Sequence, residues 1–148
     1  MVIKSPDTEH SRIDLDFGRG FYLTTMRQQA VDYGRRFKLR DEEAWLNSFQ
    51  FDLEPSQWNI LQFDSYSREW LYFISKCRAG KDDTDYDLVI GGIANDKVIR
   101  TLDRYFKGEI SAEQALGLLK YEKPNIQYCI RSQIMLDRCL THFESIKL

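Results

Sequence analysis

The residues best placed by type and spacing to do chemistry lie in one dense stretch, Phe17-Gly18-Arg19-Gly20-Phe21-Tyr22-Leu23-Thr24-Thr25, followed by Gln29-Ala30 and Tyr33. Its two glycines permit a tight turn with unusual dihedrals. The run from Phe21 to Thr24 then reads as a short strand. Tyr22 and Tyr33 stand eleven residues apart, on that strand and on the helix expected after it. Taken alone, such a pair is a set of core aromatics in a strand–helix unit. Arg19 reads as a solvated cation, and Thr24 and Thr25 as strand-end and cap residues. Other chemistry finds little to recruit. There is no P-loop, GxSxG or HExxH pattern. Gly18-Arg19-Gly20 does not continue as GxGxxG and precedes a strand, which excludes a Rossmann fingerprint. His10 and His142 are too few and too far apart for a triad or a metal centre. Cys77, Cys129 and Cys139 fit neither a zinc pattern nor a disulfide framework, and read as buried apolar thiols.

The stretch from Phe17 to Tyr33 resembles the central segment of the ADP-ribosyltransferase superfamily. The poly(ADP-ribose) polymerases carry a similar run of phenylalanine, glycine, lysine, glycine, an apolar residue and tyrosine, with a second tyrosine at the same spacing. Leu15 to Thr25 with Gln29-Ala30 also resembles an uncharacterised bacterial family of that superfamily. Asp87 to Gly91 running into Ala94 to Val98, and more weakly Gln127 with Ser132 and Leu136, extend this resemblance over nearly the whole chain. The resemblance implies that Tyr22 and Tyr33 sandwich the nicotinamide of NAD, a flat cationic ring suited to aromatic faces. It implies NAD contacts at Gly20, Phe21, Tyr22, Thr24 and Tyr33, and catalytic roles for Tyr22 and Gln127. NAD would be a substrate, with no metal. Cleavage of its nicotinamide bond passes through an oxocarbenium-like state, so positioning and electrostatics carry the work.

Two departures bear on activity. Gln127 stands where the superfamily usually has a glutamate. Its amide can hydrogen-bond a ribose hydroxyl but cannot act as a base. The His-Gly strand that opens the superfamily's fold has no counterpart ahead of Lys4-Ser5-Pro6. If that strand is lacking, weaker NAD binding and an exposed sheet edge prone to self-association are expected. Two functions therefore stand side by side. One is an NAD-dependent mono-ADP-ribosyltransferase, an intracellular toxin of a toxin–antitoxin-like pair. The other is an inactive module of the same fold that binds a protein partner or a nucleotide. The expected acceptor is a protein rather than a nucleic acid, with a small antitoxin-like partner and a homo-oligomer as further expectations.

The elements that must position these residues follow from periodicity and punctuation. Thr25-Met26-Arg27-Gln28 matches a capping box, and Met26, Ala30, Tyr33 and Phe37 fall on one helical face. Strands are expected over 45–53 and 58–63. Ser67 to Arg78 reads as a helix with Trp70, Phe73, Ile74 and Cys77 inward. Asp87 to Ile90 reads as a strand that Gly91-Gly92 stops. Asn95 or Asp96 caps a helix reaching Phe106, and Ser111 starts another through Leu119. A strand over 126–131, a helix over 132–140 and a strand over 141–146 complete the chain. Short strands without a βαβ rhythm favour α+β. The superfamily resemblance implies two small antiparallel sheets with flanking helices and a cleft between the sheets.

The 148 residues fit a single domain. Hydrophobic residues at 43% and charged residues at 30% allow a packed core. The 21 basic and 23 acidic residues give a net charge of −2, without the chain-wide basic surplus of a dedicated nucleic-acid binder. No apolar run of signal or membrane-spanning length occurs, so a cytoplasmic protein without a membrane partner is expected.

Overall fold

The computed structural model describes residues 1–11, 15–93 and 95–148. In chain order it forms β1 (Phe21–Leu23), α1 (Arg27–Lys38), β2 (Trp45–Phe51), a 3-10 turn (Pro55–Gln57), β3 (Ile60–Gln62) and α2 (Arg68–Arg78). There follow β4 (Leu88–Ile93), α3 (Asp96–Phe106), α4 (Ala112–Leu119), β5 (Asn125–Ile130), α5 (Gln133–Cys139) and β6 (Leu140–Lys147). The class is α+β, with two small sheets. One has four strands in the order β1-β5-β4-β3, and the other pairs β2 with β6.

The expectation of two antiparallel sheets needs correction. β3 and β4 are parallel neighbours, with Ile60, Leu61 and Gln62 opposite Leu88, Val89 and Ile90. The connection between them contains α2, and a helical crossover is what returns a chain to a parallel neighbour. β4–β5, β1–β5 and β2–β6 are antiparallel.

The four-stranded sheet is covered on both faces because side chains alternate along its strands. Val89 and Cys129 join one core with Trp70, Phe73 and Cys77 of α2, Val98 and Leu102 of α3, and Ala115 and Leu119 of α4. Leu88, Ile90 and Ile130 join a second core with Met135, Leu136 and Cys139 of α5. Phe21 meets Phe49 edge-on at 5.8 Å, and Phe51 meets Tyr128 at 6.3 Å, so aromatic rings join the two sheets across this second core.

α2 forms as its pattern requires. Ser67 accepts a hydrogen bond from Trp70 N (3.2 Å), and Trp70, Leu71, Phe73, Ile74 and Cys77 are buried. Each large apolar side chain here contributes about 1.5–3 kcal/mol of burial. The Ser111 capping box is complete, with Gln114 Oε1 accepting from Ser111 N at 2.8 Å. Two local expectations fail. β4 runs through Gly91 and Gly92 to Ile93. A Cβ at Gly92 would lie 2.6 Å from the Tyr66 ring, and one at Gly91 3.2 Å from the Phe63 ring. These glycines admit aromatic rings onto the sheet and do not end it. α1 starts without a cap from Thr25. Its buried residues are Val31 and Gly34, while Met26 and Tyr33 are 54% and 59% exposed. A Cβ on Gly34 would sit 2.7 Å from Leu148 Cδ1, so the small face of α1 packs against the end of β6.

Candidate functional site

β1 pairs with β5 so that Tyr22 lies opposite Cys129 and Leu23 opposite Tyr128. Gln127, two residues before Cys129, therefore shares a sheet face with Tyr22. The diagonal separation in such a pair is roughly 7–8 Å. The two residues expected to be catalytic thus stand on adjacent strands.

Their environments differ sharply. The Tyr22 hydroxyl donates to Gly18 O at 2.6 Å and accepts from Phe17 N at 3.0 Å. Its ring stacks on Phe17, with centroids 6.4 Å apart and planes 12° from parallel. Burial, reinforced by the neighbouring Cys129 thiol, raises its pKa far above the ordinary phenol value. Tyr22 is therefore a neutral strut that fixes the Phe17–Gly18 turn, where Gly18 takes a φ of 79°. Gln127 is half-buried, and its amide has no hydrogen-bond partner among the described residues. Its donors and acceptor are open to water or to a ligand.

The remaining expected contacts surround this strand pair. Thr24 Oγ1 lies 2.9 Å from Gln29 Oε1, accepts from Met26 N at 3.1 Å and lies 3.5 Å from Ile126 O. It ties β1 to both α1 and β5. Gly20 donates its N–H to Ser11 Oγ at 2.9 Å. A Cβ there would lie 2.5 Å from Cys129 Sγ, so the backbone is pressed against β5. Phe21 faces the opposite side of the sheet and belongs to the second core. Tyr33 is on the outer side of α1, edge-on to Phe37 at 5.7 Å, with the Arg36 guanidinium 5.7 Å from its ring centre. Tyr22 and Tyr33 make no ring contact with each other among the described residues. The structure thus brings Tyr22, Thr24 and Gln127 together and leaves Tyr33 apart from Tyr22.

A polar cleft of about 470 Å³ opens at the other end of β5. Its walls include Thr8, Gly18, Arg19, Asp82, Thr84 and Arg131. Arg131 pairs with Asp82, and both side chains are about one-tenth exposed, at 11% and 10%. The guanidinium also donates to Thr84 O (3.0 Å) and Thr84 Oγ1 (3.2 Å) and lies 5.9 Å from the Phe73 ring. This network clamps the 80–87 loop to the end of β5. Sequence reasoning missed Asp82, Thr84 and Arg131, because nothing in their spacing links an acidic loop to an arginine 49 residues away.

Burial pushes the Cys77 and Cys129 thiols up to about 12, and it also raises Cys139, so none is primed as a nucleophile near neutral pH. All three cysteines are free and buried. Among the described residues no group of three or more His, Cys, Asp or Glu side chains could hold a metal ion, and no helix is long and apolar enough to cross a membrane. No curated protein and no solved structure matches the chain. A family model described as a protein of unknown function (DUF3990) matches residues 1–142, and the chain belongs to that family.

Proposed function

We propose that this chain is an ADP-ribosyltransferase-like domain that binds NAD and transfers ADP-ribose to a protein acceptor. The observation that carries the reading is the juxtaposition on β1 and β5: Thr24 at the end of one strand, and on the other Gln127, whose amide has no partner among the described residues. Thr24 belongs to the Phe17–Tyr33 resemblance, and Gln127 to its weaker C-terminal part, at the position where the superfamily usually has a glutamate. In this reading the Gln127 amide hydrogen-bonds a ribose hydroxyl of NAD, and the open face of Tyr33 stacks on the nicotinamide. Tyr22 acts through the Gly18 turn it holds, and the Gly20 and Phe21 backbone completes the wall. Gln127 supplies orientation and no charge, so a transferase built this way relies on positioning. The resemblance over Leu15–Thr25 extends the proposal to an intracellular toxin with a small protein partner.

A second reading is favoured by the same geometry. Tyr22 has its hydroxyl and one ring face committed within the fold, and no carboxylate stands at 127. A module that holds NAD, or a protein, without chemistry fits those facts.

The test is the thermal midpoint with and without millimolar NAD, repeated with Gln127→Ala and Tyr33→Ala. Ligand at about 100 times its Kd adds about 2.7 kcal/mol, worth several degrees in a domain of this size. A shift lost in both variants upholds the site. A shift without release of nicotinamide selects the second reading. No shift in the parent chain removes NAD from both.

A further inference from the structure

The polar cleft at the end of β5 holds more acid than base. Of the side chains that line it, Glu9, Asp82, Asp85 and Asp87 are acidic, and Arg19 and Arg131 are basic. Arg131 is matched by Asp82, and Arg19 by Glu9 at 3.1 Å. Asp85 and Asp87 remain. One asparagine holds them side by side: Asn59 Nδ2 donates to Asp85 Oδ1 at 3.2 Å, and Asn59 N donates to Asp87 Oδ2 at 2.9 Å. Neither carboxylate makes an ion pair among the described residues, and the second oxygen of each accepts no hydrogen bond there. Lys81, next to Asp82 in the chain, is exposed and does not line the cleft. Two like charges on one asparagine repel each other, and a cation set between them removes that repulsion.

Two acids on a loop would by themselves be a solvated surface. The cleft adds two independent features. Thr8 lines it and is buried, with 6% of its surface exposed. Among the described residues its hydroxyl reaches only Glu9 Oε1, at 3.4 Å, which is long for an O–H···O bond. A buried hydroxyl without a short partner is open to a ligand that donates to it. The second feature is the Arg131–Asp82 pair in the wall, about nine-tenths buried on both sides. Its charges cancel and it keeps water away from that wall. The field of the two unpaired carboxylates is concentrated in such a cleft. The space is about 470 Å³, and among the described residues no group of three or more His, Cys, Asp or Glu side chains could hold a metal ion. The occupant that fits is an organic cation with N–H donors.

We infer that this cleft binds a small aliphatic amine, its ammonium held by Asp85 and Asp87 and its body running toward the Thr8 hydroxyl. An ammonium carries three donors on a flexible stem, which suits acceptors presented by separate segments of the chain. A free diamine and the lysine side chain of a polypeptide offer this same chemistry, and the test separates them. The inference goes beyond the proposed NAD site, shares no ligand-contacting residue with it, and stands whether or not NAD binds.

The experiment is isothermal titration calorimetry of the full chain at low salt with putrescine and with Nα-acetyl-lysine amide. Binding should weaken as salt is added, because the two carboxylates stand at the open side of the cleft. Asp85→Asn with Asp87→Asn keeps the acceptors for Asn59 and removes both charges, and should cut affinity about tenfold or more. Asp85→Asn alone, at an exposed position that the fold does not depend on, should cut it about threefold or more. Asp64→Asn with Glu144→Gln removes two exposed acids elsewhere and should change it little. The NAD thermal shift of the Asp85/Asp87 variant should match that of the parent, which separates a failure here from a failure of the NAD site. Binding of either amine on this pattern upholds the inference, and the preference between them says whether a free diamine or a polypeptide lysine is the better ligand. Four results overturn it: no binding of either amine, parental affinity in the Asp85 variants, equal loss in the Asp64/Glu144 variant, or tetramethylammonium, which has the charge without the donors, binding as tightly.

Discussion

At the scale of single residues, the resemblance to NAD-binding enzymes and the packing make different demands on the same side chains. Tyr22 would stack a ligand in the one account and braces a turn in the other, and its two hydroxyl bonds weigh toward the brace. Gly20 shows the same tension. It was read as a turn glycine, and what fixes it is contact: an added Cβ would meet Cys129 Sγ at 2.5 Å and Ile130 O at 2.8 Å. The second of these is backbone and cannot step aside. Gly20→Ala should therefore destabilise the chain by about 1–3 kcal/mol, as overpacking does. Gly117→Ala supplies the contrast. That glycine lies inside α4 with nothing within 4 Å of its Cβ position. The substitution should stabilise by about 0.5–1 kcal/mol through helix propensity and a stiffer unfolded chain. Urea unfolding of both variants measures the two signs; a neutral Gly20→Ala would mean that β1 is not pressed against β5.

At the scale of elements, α2 was legible because one apolar stripe at helical spacing met one buried face. α1 was legible as a helix but not in its orientation. Met26, Tyr33 and Phe37 make the more apolar stripe, yet the helix seats itself by Val31 and Gly34, since a glycine lets it approach Leu148. Close approach of this kind depends on what the other element presents, and no local pattern carries that. The start of α1 shows the limit of motif matching too. Thr25-Met26-Arg27-Gln28 satisfies the capping-box pattern, but Thr24 supplies the hydroxyl that receives Met26 N. Thr24→Ala, which removes that bond and the contact to Gln29, should cost about 1 kcal/mol, the usual net worth of a hydrogen bond, with Thr25→Ala within about 0.5 kcal/mol of the parent. Chemical denaturation separates them. The opposite ranking would put the cap back at Thr25 and loosen the tie between α1 and the strand carrying Tyr22.

At the scale of the whole molecule, the sheet order explains why the candidate site could be read only in part. Tyr22 and Gln127 are distant in sequence and come together only because β5 inserts between β1 and β4. The likeness to a known family pointed to both residues; strand pairing determines that they share a face. The parallel β3–β4 contact and the Arg131–Asp82 clamp arise from the same long-range arrangement, and no local signal marked either. That arrangement also sets a gradient of stability. β4 and β5 each pair on both sides and lie between two buried cores, whereas β1 and β3 are three-residue strands at the sheet's edges. β2 and β6 form a separate two-stranded ribbon, a unit that is marginal without packing support. Native-state hydrogen exchange should therefore find the slowest amides at Val89, Ile90, Cys129 and Ile130, opening only with global unfolding. The β2–β6 ribbon and β1 should open at lower free energy, the ribbon held by its Phe49 and Phe51 contacts to Phe21 and Tyr128. Phe49→Ala should widen the gap, speeding exchange in the ribbon more than in β4. If ribbon and central sheet instead exchanged at one common rate before and after the substitution, the two sheets would unfold as a single unit. The β1–β5 site would then gain no freedom to adjust to a ligand by local opening alone.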